Sequence, residues 1–234
     1  MRKIIFYLSV IAIMVLMSSH VMANTTTSIK DIDILVSRGR VQIEKSETQN
    51  FEYEYDNKKF IVISSVKDDK INIIVSYVWN ANLTYEDKVI IRVPDRQFNS
   101  VNIESRQAAV SILDWIDAEH QIVNNQGAMT FAISEDITKE ATYISNQGST
   151  SVGIIESADN YTLLLTVAQS AVSVSSEILD SFEDTNMLNG SNFNFNVGDF
   201  KFVKGSGNAK LSFDIRQSAF SLGFIESVED LYSF

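Results

Sequence analysis

Apolar residues recur at every second position along most of this chain. Ile32, Ile34 and Val36 keep that period, and Val41 and Ile43 resume it beyond Gly39. Phe51, Tyr53 and Tyr55 alternate with Glu52 and Glu54. Phe60 and Val62 follow, then Ile71, Ile73, Val75, Tyr77 and Trp79. A period of two places one face of an extended segment against a core, so each run predicts a β-strand. Asp56-Asn57 and Asp68-Asp69 fall where the chain must turn. Val89, Ile91 and Val93 make one more strand, closed by Pro94, the only proline. Proline cannot donate to a ladder and therefore suits a strand end.

From Phe98 to Val174 the pattern repeats itself. Val101 to Leu113 reads VNIESRQAAVSIL and Gln121 to Ile133 reads QIVNNQGAMTFAI. Thr142 to Ile154 reads TYISNQGSTSVGI and Leu163 to Ser175 reads LLLTVAQSAVSVS. Each copy has an alternating strand, a polar corner on glutamine, a small residue and a second alternating strand. The corner residues Gln107, Gln126, Gln147 and Gln169 are spaced by 19, 21 and 22 residues. Ala108, Gly127, Gly148 and Ser170 follow them. Five positions after each glutamine stands an apolar residue: Ile112, Phe131, Val152 and Val174.

Strands repeating at such a period mark a solenoid, because one copy cannot close a core and stacked copies bury a continuous one. A sandwich or meander with similar hairpins is the alternative. In the solenoid the glutamines stack at one corner on successive coils, either as corner glue or as a ligand-binding strip. The inward set is Ile103, Ile112, Ile122, Phe131, Ile144, Val152, Leu165 and Val174.

Residues 1–23 read differently. Arg2 and Lys3 precede an apolar run from Ile4 to Met17, broken only by Ser9, and Val21-Met22-Ala23 offers a cleavage site. These are the three regions of a secretory signal peptide, and the run is shorter than the ~20 residues a membrane span needs. Cleavage after Ala23 leaves Asn24 to Phe234 as a single domain. It holds less regular coils at 24–97, regular coils at 98–175, and a loop with C-terminal coils at 176–234. No later segment is apolar enough to span a membrane.

Export sharpens the composition. The net charge of −11 becomes −13 when Arg2 and Lys3 leave, which disfavours nucleic acid and anionic lipid. With 0 Cys, neither a disulfide framework nor a lipidated N-terminal cysteine is available. His20 leaves with the signal, so His120 is the one histidine of the exported chain.

Lys88 to Ile103, KVIIRVPDRQFNSVNI, runs into the glutamine-glycine corners, and Gly39-Arg40-Val41-Gln42-Ile43 follows the same habit. This pattern, over most of Ile32 to Phe213, resembles the bacterial putative adhesins of the DUF4097/DUF2807 kind. The resemblance implies an exported, right-handed, single-stranded β-helix with coils of about 20 residues. It supplies no catalytic residues. Ala108 and Ser170 depart from the family's corner glycine, which puts the turn type there in question.

In the C-terminal part, Glu177, Asp180, Glu183 and Asp184 read as a solvated acidic loop, since their spacing does not match an EF-hand. Phe193, Phe195, Val197, Phe200 and Phe202 resume alternation. Gly205 and Gly207 predict a further corner before Leu211, Phe213 and Ile215. Tyr232 and Phe234 have the spacing of an outer-membrane barrel terminus, but the chain lacks long barrel strands.

Catalytic chemistry finds little footing. A serine triad would need His120, which reads as a surface histidine, and no Gly-x-Ser-x-Gly elbow exists. Histidine and cysteine are too few for a zinc site. Glu104, Asp114, Asp117 and Glu119 are candidate paired carboxylates for a glycosidase or lyase, on proximity in sequence alone. Trp79, Trp115, Tyr143 and Tyr161 have the chemistry to stack on sugars, with packing as their ordinary role. Sequons occur at Asn24, Asn82, Asn160 and Asn189, as expected by chance in a chain rich in Asn and Ser. The expected function is therefore non-enzymatic: surface adhesion, or an envelope structural role, with surface glycans or envelope proteins as partners. The location is periplasm, cell surface or outside the cell. No catalytic residue, metal or cofactor is assigned. A carbohydrate-active enzyme on the same scaffold is the alternative.

Overall fold

The computed structural model describes residues 28–133, 138–155, 160–175, 178, 197–227 and 230. The expected signal peptide at residues 1–23, the expected acidic loop residues Glu177, Asp180, Glu183 and Asp184, Phe193, Phe195, Tyr232, Phe234 and the sequons at Asn24 and Asn189 lie outside them. The described chain is all-β, with fifteen strands joined in one large open sheet. They are β1 (Asp31–Val36), β2 (Gly39–Ser46), β3 (Glu52–Glu54), β4 (Phe60–Lys67) and β5 (Lys70–Tyr77). Then come β6 (Val89–Pro94), β7 (Ser100–Ile112), β8 (Glu119–Ile133), β9 (Ala141–Ser145) and β10 (Gly148–Ile155). The last are β11 (Tyr161–Ala168), β12 (Ala171–Val174), β13 (Val197–Lys204), β14 (Ala209–Arg216) and β15 (Ala219–Ile225).

The strands line up in two ladders. One runs β4-β5-β1-β7-β8-β9-β14-β11-β13. The other runs β3-β6-β2, continues through the second halves of β7 and β8, and ends β10-β15-β12. β7 and β8 belong to both because they bend midway. Their pairing slips at Ser105, Arg106 and Ala108 and then recovers, as at a β-bulge. All neighbours are parallel except β4 on β5, β3 on β6 and β13 on β11. These three antiparallel strands lie at ladder ends.

One residue of each strand turns inward and the next outward, so each ladder buries a column of side chains. Ile32, Ile71, Val101 and His120 share one level, and Ile34, Ile73, Ile103 and Ile122 the next. The main core cluster runs from Ile29 to Leu222, with a small second one at Ala132 and Ile225. Its middle is aromatic: Phe131 lies 5.4 Å from Tyr143 and 6.1 Å from Phe213, and Phe213 lies 5.6 Å from Phe220.

The inward set holds with one correction. Ile144 pairs with Val123 on the outer, half-buried face, and Tyr143 takes the inward place opposite Ile122. The face is decided by the distance to the corner. The residues four before each glutamine, Ile103, Ile122, Tyr143 and Leu165, are all buried, and Ile144 is one step out of phase.

Candidate functional site

The corner is the feature repeated most faithfully along the ladders. Gln107 donates Nε2 to Gln126 Oε1 at 3.1 Å, and Gln126 donates to Gln147 at 3.0 Å. Gln147 does not reach Gln169 directly. It donates to Gln217 at 3.3 Å, and Gln217 donates to Gln169 at 3.2 Å. The expected stack therefore exists, with a fifth member between the third and the fourth. Arg38 closes the other end, giving Nε to Gln107 Oε1 at 3.3 Å and Nη1 to Tyr77 Oη at 3.1 Å. All five glutamines are exposed, and every bond runs in the same direction.

The turn chemistry differs from copy to copy. Gln107, Gln169 and Gln217 have φ of 52°, 52° and 49°, so where the next residue is Ala108, Ser170 or Ser218 the left-handed step falls on glutamine itself. In the second copy it falls on Gly127, at φ 146°. That answers the question raised by the missing glycines: the turn moves back one residue. Gly127 and Gly148 serve a second need, close stacking. A Cβ on Gly127 would lie 2.0 Å from Ala108 O, and one on Gly148 would lie 2.3 Å from Gly127 O.

A polar lining sits beneath the glutamines. Ser105, Asn124 and Ser145 are fully buried at the inner side of the corner. Ser105 Oγ donates to Ala108 O and Asn124 Nδ2 to Gly127 O, both at 3.4 Å. Ser145 Oγ meets Ser218 Oγ at 2.9 Å, and Ser170 Oγ donates to Ala168 O at 2.9 Å. Ser105, Asn124 and Ser170 thus give the corner carbonyls side-chain donors, while Asn124 Oδ1 stays buried without a hydrogen-bond partner.

A second amide row runs beside the first. Asn125 donates to Glu104 at 3.3 Å, and Asn146 donates to Asn125 at 2.9 Å. The amides of this row end at Asn146; β14 places Arg216 next and β11 places Ala168 beyond it, and an open depression of about 380 Å³ there is lined by Asn146, Gln147, Ala168, Gln169 and Arg216. Arg216 is held by Asp214, through Nε at 2.9 Å and a second, shorter contact from Nη2. The Glu104 carboxylate beside Arg106, 2.5 Å away, holds that guanidinium above its ordinary pKa.

The candidate carboxylates do not converge. Asp114 accepts from the backbone N–H of Lys45 at 2.8 Å, and Asp117 accepts from Thr138 Oγ1 at 3.2 Å. Glu104 serves Arg106 and Asn125, and Glu119 is exposed at the start of β8. Among the described residues no three acidic, histidine or cysteine side chains gather to hold a metal.

His120 is not on the surface. It is buried, stacks on Trp115 at 4.1 Å and donates Nε2 to Ile116 O at 2.7 Å. Burial pushes its imidazole from the ordinary 6.5 down to about 4, against the smaller opposing pull of the Ile116 carbonyl and Asp117. The inward period that buries Ile122 also buries the residue two before it. Trp115, Tyr143 and Tyr161 are buried packing residues. Trp79 is not: on the segment between β5 and β6 it is 79% exposed, as is Tyr85 at 82%. Within that segment Asp87 accepts from Thr84, and it accepts from Lys59 ahead of β4; these donors lower its carboxyl to about 2.

Gln217 and the buried Ser/Asn lining are absent from the sequence reading. Both have a signal. Arg216-Gln217-Ser218 matches Arg106-Gln107-Ala108, and Leu222 follows Gln217 by five. Ser105, Asn124 and Ser145 each stand two before a corner glutamine, on the inward parity. The corner expected at Gly205 and Gly207 is instead the turn joining β13 to β14.

No protein-family model and no curated protein matches the chain. Among solved structures it is similar to a putative cell adhesion protein from Clostridium sporogenes. The TM-score is 0.54 at 11% identity, over 88% of this chain and 98% of that one. That likeness is one of fold. A putative adhesin from Bacteroides fragilis aligns over 84% of this chain and 92% of its own at 10% identity, with a TM-score of 0.23.

Proposed function

We propose that this is an exported, non-enzymatic protein that binds at the cell surface, built as a right-handed β-solenoid. The observation that carries the binding role is the exposed row of glutamines, one side chain repeated at five neighbouring corners. Repetition of that kind gives many weak contacts, and avidity then outweighs any single site. The solenoid reading rests on the parallel registers, in which each strand of the middle region pairs with its counterpart about 20 residues away. The fold likeness to a cell adhesion protein points the same way. Export rests on the pattern of residues 1–23. A binding role is favoured over turnover because Glu104, Asp114 and Asp117 are each engaged by different partners and His120 is sealed in the core.

The test uses the native protein. It should be recovered from the envelope or medium with Asn24 as its first residue, and purified protein should adhere to intact cells or envelope material while releasing no sugar from a polysaccharide panel. An intact Met1, or turnover lost on changing Glu104, Asp114 or Asp117, would overturn the reading.

A further inference from the structure

We propose that the glutamine row and the depression at Ala168 form a binding strip for a neutral, extended polysaccharide lying across the strands. This rests on the surface-binding reading and names its ligand class. A glutamine side chain has two N–H donors and two carbonyl lone pairs. In Gln126, Gln147 and Gln217 the ladder uses one donor and one lone pair each. The exposed remainder is one donor and one acceptor per strand. A sugar hydroxyl also donates and accepts, so the two patterns match.

The spacing matches as well. Strands repeat every ~4.8 Å, and a flat β-linked hexose chain advances by a similar length per sugar. Successive sugars can therefore meet successive amides. The amides are already held by one another, so little side-chain freedom remains to be lost on binding.

The charge pattern selects a neutral glycan. Arg106 is paired with Glu104, and Arg216 is held by Asp214 through two of its guanidinium nitrogens. The whole chain carries −11, which repels polyanions. At the far end of the row the second amide row gives way to Arg216, held by Asp214, and then to the small Ala168, and the depression of about 380 Å³ there has room for a ring to sink beside Gln147 and Gln169.

Affinity electrophoresis of the mature protein through gels holding hydroxyethyl cellulose, glucomannan or polygalacturonate tests this. The two neutral polymers should retard the protein, and polygalacturonate should not. Ala168→Phe fills the depression and should weaken retardation about tenfold, the scale of losing one well-placed contact, with melting unchanged. Gln169→Asn keeps a residue that tolerates positive φ but withdraws the terminal amide. It should also weaken retardation, and it decides the matter if the bulkier side chain at position 168 lowers the melting temperature. The assignment is overturned if neither neutral polymer retards the protein, if polygalacturonate retards it equally, or if both variants migrate as wild type. Adhesion to intact cells persisting in either variant, without glucan retardation, would leave the surface-binding reading standing and remove this one.

Discussion

In the middle of the molecule, from Ser100 to Ile155, strands stack in the order of the chain: β7, β8, then β9 and β10. At the C-terminal end they do not. β14 and β15, near the end of the chain, slide between β9-β10 on one side and β11-β12 on the other. The N-terminal end does likewise, with β1 between β5 and β7 and β2 between β6 and β7. The first and last paired strands among the described residues are thus interior, where each gains two neighbours' hydrogen bonds. The outermost parallel strands are then covered by β4, β3 and β13, so three of the four ladder ends finish antiparallel. β12, only four residues long, ends the fourth. Short or reversed edges blunt the tendency of a parallel ladder to template another chain.

The corners of the two regions solve one problem in two ways. In the middle the buried polar side chain comes before the corner, at Ser105, Asn124 and Ser145, and a small residue follows it. At the C-terminal end the residue before the corner is Ile215 or Val167, and a serine follows, Ser218 or Ser170. Ser145 and Ser218, 2.9 Å apart, join the two designs. A corner buries backbone polar groups wherever it is built, and a partner is needed on one side or the other, not on both.

The strongest test of this comparison is whether the inserted strand matters as much as the middle. Phe213→Ala should cost about 4 kcal/mol, like Phe131→Ala, because both rings are buried in the same aromatic stack. Chemical denaturation measures both. A cost for Phe213→Ala below half that of Phe131→Ala would mean that β14 is a terminal strand.

Acid should strike the middle region first. His120 is neutral when folded, with its pKa lowered to about 4, and the unfolded chain takes up a proton nearer 6.5. The unfolded state thus binds more protons between those values. This group's contribution is complete above pH 6.5, falls as pH drops toward 4, and amounts to about 3 kcal/mol. The difference in stability between wild type and His120→Phe, followed from pH 7.5 to 4, should show that slope. A constant difference would refute a neutral buried imidazole.

The smallest effect compares members of the glutamine row. Gln147→Leu and Gln217→Leu each remove a donor and an acceptor, one from the middle copies and one from the inserted strand. Each should cost about 1 kcal/mol, two exposed hydrogen bonds at the low end of their usual net worth. Gln169→Asn loses a single bond at the row's end and should cost about half as much. Thermal melts that rank Gln169 above Gln147 would show that the row contributes nothing as a unit.

Much of the site is legible in the sequence because it is local. Gln107, Gln126 and Gln147 stand at matching points of adjacent copies, and adjacent copies do stack. The misreadings have local causes as well. Ile144 is aliphatic and so looks like the core residue beside Tyr143, yet distance from the corner decides which side turns inward. His120 looks exposed because histidine usually is, yet its parity matches Ile122.

What this sequence determined by itself is the strand period, the corner and the face that each residue shows, since these follow from backbone geometry over a few residues. The order of stacking was left to the tertiary structure. Parallel strands with the same alternation and the same corner can pair in any order, so no local pattern separates Gln169 from Gln217 as the neighbour of Gln147. That choice is made by contacts far apart in the chain, Gln147 to Gln217 across 70 residues and Ser145 to Ser218 across 73. Such contacts exist only once the strands on both sides of β14 and β15 are in place.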